Sequence, residues 1–159
     1  MRAILIAPDH ATRGVYCTSV AVIASSDEPD CYDARHARLL LDCMTVRQVD
    51  LAGQYAGHVL ICDENALLKP HPGYIYHPPL HPAPLAGKLL VLAYDEESDA
   101  WSDARLELAA LSFDLADSYC LPARARELAQ RRAEDQRRRL PHAIVACSAD
   151  LMDAAHGGL

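Results

Sequence analysis

The run from Gly87 to Tyr94 constrains the fold most, because it is apolar at successive positions. Its centre reads Leu-Leu-Val-Leu-Ala. Successive side chains of a β-strand point to opposite faces of a sheet, so such a run must be covered from two sides. We therefore predict that residues 87–94 form a strand at the centre of a sheet.

Other segments carry weaker signals of secondary structure. Apolar, alternating or β-branched patterns typical of strands occur in residues 2–7, 15–23, 45–51 and 58–62. Apolar side chains spaced three and four apart predict a helix between Tyr32 and Cys43, capped by Asp30 or Asp33. The acidic stretch after residue 94 is expected to be a loop, and residues 103–119 fit either a helix or a strand.

These patterns predict an α+β fold. We expect a small, mainly antiparallel sheet of four or five strands, with one packed helix and a C-terminal charged helix. A chain of 159 residues is long enough to bury its own core. We predict an acidic α+β domain at 1–121, a basic C-terminal helix at 122–141, and a short apolar segment with a mobile tail at 142–159. Pro122 suits the first turn of that helix, and Pro141 suits its end.

The sequence also bears on compartment and cofactors. No apolar stretch approaches the ~20 residues of a membrane span, and no secretory signal is visible at the start, so we expect a cytoplasmic protein without a membrane partner. The six cysteines include no Cys-x-x-Cys spacing, which favours buried core residues over a zinc site or a disulfide framework. No cofactor is predicted.

Charge divides the chain into an acidic body and a basic segment. Residues 1–122 have a net charge of −9, and residues 123–141 have a net charge of +4. An acidic body repels free polyanions and attracts basic protein surfaces. The acidic residues that we predict to bind a partner are Asp95, Glu96, Glu97, Asp99 and Asp103.

The basic segment has two interpretations. Acids placed four residues before bases, and arginines in the last turn, are typical of a stable surface helix. Arginine also matches the geometry of phosphates, so the helix could contact nucleic acid or an acidic partner. The arginines concerned are Arg131, Arg132, Arg137, Arg138 and Arg139. Because the body is acidic, we do not expect tight DNA binding by this chain alone.

Residues 70–84 hold six of the ten prolines and three histidines. One hypothesis is a metal-dependent enzyme that uses His71, His77 and His81 as ligands. The other is an ordered loop whose histidines bind no metal. Pro78 and Pro79 exclude a regular helix that would place two of these histidines on one face. The chain also lacks the common phosphate-loop, dinucleotide, nucleophile-elbow and zinc-hydrolase motifs, which favours a non-enzymatic protein.

The central block resembles a known but uncharacterised family. The residues that carry the resemblance are 58–70 (His-Val-Leu-Ile-Cys-Asp-Glu-Asn-Ala-Leu-Leu-Lys-Pro), 84–92 (Pro-Leu-Ala-Gly-Lys-Leu-Leu-Val-Leu) and the acidic Asp95-Glu96-Glu97. They are similar to a domain found in short proteins of phages, plasmids and other mobile elements, and the similar part covers roughly residues 45–100. The resemblance implies an accessory or anti-defence role and carries over no catalytic residue.

Together these observations predict a non-enzymatic, inhibitory protein of a phage or other mobile element. It would bind a host defence protein or nucleoprotein complex through its acidic surface, most concretely as an anti-CRISPR protein. The alternatives are the metal-dependent enzyme with the histidines of residues 71–81, and a nucleic-acid-binding regulator that uses the arginine-rich helix. The sequence leaves the partner and the oligomeric state open.

Overall fold

The computed structural model describes residues 1–69 and 73–139 and has the predicted α+β fold. The larger strands are β1 (Arg2–Asp9), β2 (Gly14–Ala21), β3 (Val46–Asp50), β4 (His58–Asp63), β7 (Leu89–Asp95) and β8 (Ala100–Ser102). The short strands are β5 (Tyr74–Ile75), β6 (Leu85–Ala86) and β9 (Tyr119–Cys120). The helices are α1 (Ala34–Leu41), α2 (Leu108–Leu115) and α3 (Pro122–Arg139), with 3₁₀ turns at Gly53–Tyr55 and Ala66–Leu68.

The main sheet is antiparallel, with the strand order β2-β1-β7-β4-β3. Strand β4 occupies one edge of β7, whereas β1 and β8 share the other edge. Along that edge Ile4 pairs with Val91, and Ser102 pairs with Ala93 further along. The prediction of a central strand at residues 87–94 is therefore confirmed.

Strand β7 is buried on both faces. Leu89 and Val91 belong to a core that includes Leu111 of α2, whereas Leu90 and Leu92 belong to a second core against α1. The side chains from Leu89 to Ala93 are all 0% exposed. Burying one such leucine stabilises the fold by roughly 1.5–3 kcal/mol, so the helices on the two faces and the strand depend on each other.

The structure refines the predicted helix boundaries. Helix α1 is shorter than the predicted 32–43, because Asp33 caps its N-terminus by accepting the backbone N–H of Arg35 at 2.7 Å. Its C-terminal cap, Asp42, has left-handed backbone angles that end the helix. Residues 108–115 form helix α2, so the segment 103–119, which fits either a helix or a strand by sequence, contains a helix.

The acidic stretch after residue 94 forms a turn at residues 96–99, as expected of a loop, but the strand that follows it was not predicted. Residues 100–102 form strand β8, which pairs with the end of β7. Residues 100–102 carry no strong local strand signal, because β8 has only three residues and is stabilised by pairing with a strand that is already buried.

Helix α3 begins at Pro122, as predicted, and its first turns pack on the small sheet β6-β5-β9. Ala125 is 2% exposed and lies in a cluster with Tyr74, Ala86 and Cys120. Pro141 and the predicted apolar segment and tail at 142–159 lie outside the described residues. Within the described part of the chain, no helix is both long and apolar enough to cross a membrane.

The register gives the main sheet two ends that matter below. Cys62 pairs with Leu89, so the end of β4 and the start of β7 lie together at what we call the lysine end. His58 pairs with Ala93, so the start of β4 lies beside the end of β7 at the hairpin end. The two ends of β7 therefore lie at opposite ends of one sheet, each beside a different end of β4.

We predict that Leu90→Ala lowers the free energy of unfolding by about 3 kcal/mol, because it opens a cavity in the core between α1 and the sheet. Leu39→Ala is the matched control, since Leu39 is 78% exposed, whereas Leu90 is 0% exposed. It is expected to change the same quantity by less than about 0.5 kcal/mol in urea denaturation followed by circular dichroism. Equal effects of the two variants would contradict the two-faced burial of β7.

Candidate functional site

The turn between β7 and β8 brings together most of the acids that the sequence nominated. Asp95 pairs with Ala100 at the last rung of the hairpin. Its carboxylate accepts hydrogen bonds from the Ser98 hydroxyl at 2.7 Å and from the Glu97 backbone N–H at 3.1 Å. These bonds, the hydroxyl bond first, lower the pKa of Asp95, so its carboxylate stays charged to a lower pH than that of an ordinary aspartate.

Asp99 also shapes the turn. It has a left-handed backbone with φ of 52°, which short acidic residues tolerate better than most. Its carboxylate accepts the Tyr94 hydroxyl at 2.7 Å. Two of the nominated aspartates are thus occupied in building the hairpin, and the exposed Glu96 and Glu97 at its tip form no ion pair within the described chain.

Aromatic rings brace the base of the hairpin. Tyr94 and Trp101 are cross-strand partners whose ring centroids lie 4.9 Å apart. Trp101 also meets the edge of Tyr32 at 4.8 Å, and its backbone N–H donates to the Asp30 carbonyl at 2.7 Å. Such contacts add to the stabilisation from burial, so the acidic turn stands on a fixed base.

A cavity of about 270 Å³ opens beside this hairpin. Three carboxylates line it, from Asp50, Asp95 and Glu96, and no lysine or arginine is among its described lining residues. Asp50 is the last residue of β3 and was not nominated from the sequence. Its place is set by the pairing of Asp50 with Val59, which the sequence alone does not reveal.

His58 lines the same cavity but is committed to the fold. Its Nδ1 faces the carbonyl oxygens of Tyr55 and Ala56 at 3.2 and 3.3 Å, and its Nε2 accepts the backbone N–H of Arg105 at 3.1 Å. These partners assign the proton to Nδ1 and a neutral ring. His58 therefore fixes the loop before β4 and has no lone pair left for acid-base chemistry.

Asp103 lies apart from the other nominated acids. It follows β8, and its carboxylate accepts the backbone N–H of Arg2 at 2.7 Å where β1 begins. Arg2 in turn donates to the Ala104 carbonyl at 3.0 Å. Asp103 thus joins β1 to the segment after β8, at a distance from the turn that holds Asp95 and Asp99.

The structure describes only part of the nominated arginine set. Arg131 donates to Glu127 at 2.6 Å, which confirms the predicted pairing of an acid with a base four residues later. Glu127 also accepts Arg124 at 2.7 Å, and Arg138 is exposed. The side chains of Arg132, Arg137 and Arg139 lie outside the described part of the chain, although helix α3 runs to residue 139.

His77 belongs to a polar network that ties three segments together. Its Nε2 lies 3.4 Å from the Tyr55 hydroxyl, and its Nδ1 lies 3.5 Å from the Ser118 hydroxyl. The Tyr55 hydroxyl also donates to Asp114 at 3.2 Å. Burial lowers the pKa of His77 below its ordinary 6.5, and the charge of Asp114 partly offsets this. The network joins the proline-rich segment to α2 and to the 3₁₀ turn at Gly53–Tyr55.

The metal hypothesis finds no assembled ligand set in residues 1–69 and 73–139. Nowhere in these ranges do three His, Cys, Asp or Glu side chains come together as a metal ion requires. His77 is engaged as described, and His81 contacts the Ala83 carbonyl through its Nδ1 at 2.8 Å. His71 lies outside the described residues.

Comparisons with models of protein families, with curated proteins and with solved structures find no match to this chain. The resemblance to a domain of mobile elements therefore remains a prediction from the residues quoted above.

We predict that Tyr94→Phe loosens the hairpin tip, because it removes the hydroxyl that Asp99 accepts while keeping the ring against Trp101. The expected loss of unfolding free energy is about 1 kcal/mol or less, with faster amide hydrogen exchange confined to residues 96–99. Tyr16→Phe is the control, since the Tyr16 hydroxyl has no hydrogen bond within the described chain. Unchanged exchange at the tip in Tyr94→Phe would show that Asp99 does not depend on this bond.

We also predict that His77 makes the fold sensitive to acid. Because its pKa is lower in the folded chain, the unfolded chain binds the proton more readily below pH 6.5. The stabilisation is complete above that pH and is lost as the pH falls through the lowered pKa. Urea denaturation of the wild type and of His77→Gln between pH 7.5 and 5 should show a shallower decline in the variant. Parallel profiles would contradict this role.

Proposed function

We propose that this chain is a non-enzymatic accessory protein of a phage or other mobile element that inhibits a host defence complex by binding it. The concrete form is an anti-CRISPR or related anti-defence inhibitor that acts in the cytoplasm. The binding surface is the acidic hairpin surface, which we define as Asp50, Asp95, Glu96, Glu97 and Asp99. Its partner is a basic groove on a protein that otherwise holds nucleic acid.

The observation that carries this proposal is the way the hairpin carboxylates are held. Asp95 and Asp99 accept hydrogen bonds from Ser98 and Tyr94 within the hairpin, so the turn that displays Glu96 and Glu97 has a defined shape before any partner arrives. A surface that is ordered in advance loses less conformational entropy on binding. Fixed, exposed carboxylates are also suited to steering a basic partner into place.

The position of Asp50 extends this charge across a concave surface. Together with Asp95 and Glu96 it lines the cavity of about 270 Å³ beside the hairpin. A lysine or arginine side chain from a partner could enter such a depression and meet several carboxylates at once. This arrangement favours a basic protein over a nucleic acid as partner, because phosphates would be repelled here.

Two further features agree with the proposal. The resemblance of residues 45–100 to a domain of mobile elements implies an accessory or anti-defence setting. The arginine-rich helix offers weaker support for nucleic-acid binding, since Arg131 and Arg124 are both paired with Glu127.

The decisive experiment reverses charge at the tip without touching the aspartates that shape the turn. The variant is Glu96→Lys with Glu97→Lys, and the matched control is Glu64→Lys with Glu134→Lys. All four glutamates are exposed, and Glu64 and Glu134 lie on other parts of the molecule. The two variants change the net charge equally, so they separate the surface from the overall charge.

Each protein is expressed in host cells whose CRISPR effector targets a resident plasmid, and plasmid survival is measured. We expect the wild type and the control to protect the plasmid and the hairpin variant to give the survival of the empty vector. The effector should also be captured by the immobilised wild type after nuclease treatment, with capture falling as salt rises. Protection by the hairpin variant, or no protection by the wild type against any effector of the host, would overturn the proposal.

A further inference from the structure

A second cavity, of about 280 Å³, lies at the lysine end of the sheet. Its lining includes Lys69 and Lys88. These are the only lysines in the whole sequence, in which the other 13 basic residues are arginines. Lysine offers a compact ammonium with rotatable donors, unlike the planar fork of arginine. Both groups of this kind in the chain therefore lie at one cavity.

Lys69 is fixed in place by the loop that follows β4. Its ammonium lies 2.8 Å from the Asp63 carboxylate and also contacts the backbone carbonyl of Asp42. The side chain of Asp63 is only 4% exposed, and its other oxygen accepts the backbone N–H of Asn65 at 2.9 Å. Asp63 is thus occupied, and Lys69 retains a donor that these two contacts do not use.

Lys88 is the second lysine that lines the cavity. It is half-buried, immediately precedes the central strand, and forms no ion pair within the described chain. Its backbone is well defined, since Leu89 pairs with both Ile6 and Cys62. All three N–H donors of this ammonium are available to a ligand.

His10 adds a third donor to the lining. Its Nδ1 lies 3.2 Å from the Tyr119 hydroxyl, and we assign the phenol as donor in this contact. The ring proton then resides on Nε2, which is left as a donor. Among the described lining residues, the donors come from three separate segments, and they outnumber the one carboxylate that is not already paired, that of the exposed Asp42.

The walls of the cavity come together through close backbone packing. A Cβ on Gly73 would lie 2.5 Å from Cγ of Pro8, so only glycine allows this approach. Gly87 has φ of 76° and donates its N–H to the Gly73 carbonyl at 2.8 Å. Two glycines thus hold the segment before β7 against the end of β1, and the cavity is part of the packed fold.

We propose that this cavity binds a phosphate group, free or as the monoester of a small molecule. The excess of donors calls for a ligand made of acceptors, and lysine is a common point-charge ligand of phosphate. The volume suits such a group, because it lies just below the roughly 300 Å³ at which cavities begin to hold drug-sized ligands. The inference stands on the cavity alone and is independent of the proposed inhibitory function.

The two lysines make a direct test practicable. The full chain is labelled with lysine carrying ¹³C at Cε, which gives two resonances, and is titrated with sodium phosphate at pH 7 against sodium chloride of matched ionic strength. We expect a saturable shift of the Lys88 resonance with phosphate and none with chloride. Ribose 5-phosphate in place of phosphate shows whether a free or an esterified group is preferred.

Three variants test the proposal, because they are expected to change the affinity for phosphate in different directions. Lys88→Gln should weaken phosphate binding at least about tenfold, read from the Lys69 resonance, because it removes the ammonium that forms no ion pair in the described chain. Asp42→Asn should tighten binding about threefold, because it removes the unpaired carboxylate and asparagine tolerates the left-handed cap. Arg13→Asn, which removes a charge from the left-handed turn after β1 and outside the cavity lining, should change binding less than about twofold.

Proton-nitrogen spectra confirm that each variant is folded. The proposal is overturned if neither lysine resonance shifts saturably, if Lys88→Gln binds as the wild type does, or if Asp42→Asn binds more weakly. It is also overturned if succinate binds as tightly as phosphate and its monoester, since the site would then select carboxylates.

Discussion

The burial of β7 on both faces is the constraint on which the rest of the structure depends. A strand whose five central side chains are 0% exposed needs a layer on each side, and α1 and α2 supply these layers. It also needs both edges paired, and β4 occupies one edge while β1 and β8 divide the other. The acidic hairpin exists because β7 extends past β1 and leaves the end of that edge to β8.

The same strand separates the two charged sites. Strand β7 has seven residues, which at about 3.3 Å per residue places its ends roughly 20 Å apart. The Debye length at physiological salt is about 8 Å, so the two ends are more than two Debye lengths apart. The carboxylates of the hairpin therefore hardly weaken the field of Lys69 and Lys88. A chain with a net charge of −7 can for this reason hold two lysines at a cavity that its acidic hairpin hardly affects.

The parts of the fold that local sequence determines were predictable. The apolar residues from Leu89 to Leu92 indicate a central strand. Asp33 has a side chain that can cap a helix, and Pro122 suits a first helical turn. The sites depend on pairing, which no local pattern contains. Asp50 reaches the hairpin surface because β3 pairs with β4. The two lysines line one cavity because Cys62, near the end of β4, pairs with Leu89 at the start of β7. Asp103 shows the opposite case. It is close in sequence to the acids of the hairpin, but its carboxylate binds the start of β1.

Both sites divide their charged residues between shape and recognition. At the hairpin, Asp95 and Asp99 accept bonds from their own turn, and Glu96 and Glu97 remain for a partner. At the lysine end, Asp63 holds Lys69, and Lys88 remains for a ligand. A carboxylate already satisfied by its own loop contributes little new interaction energy to a partner, but it fixes where its neighbours stand. Removing such a carboxylate would alter the geometry of the loop. Reversing the charge of a residue that remains for a partner would instead change the charge of the surface and leave the geometry intact. Counting acids along the sequence cannot separate these two roles, because the separation depends on which hydrogen bonds the folded turn provides.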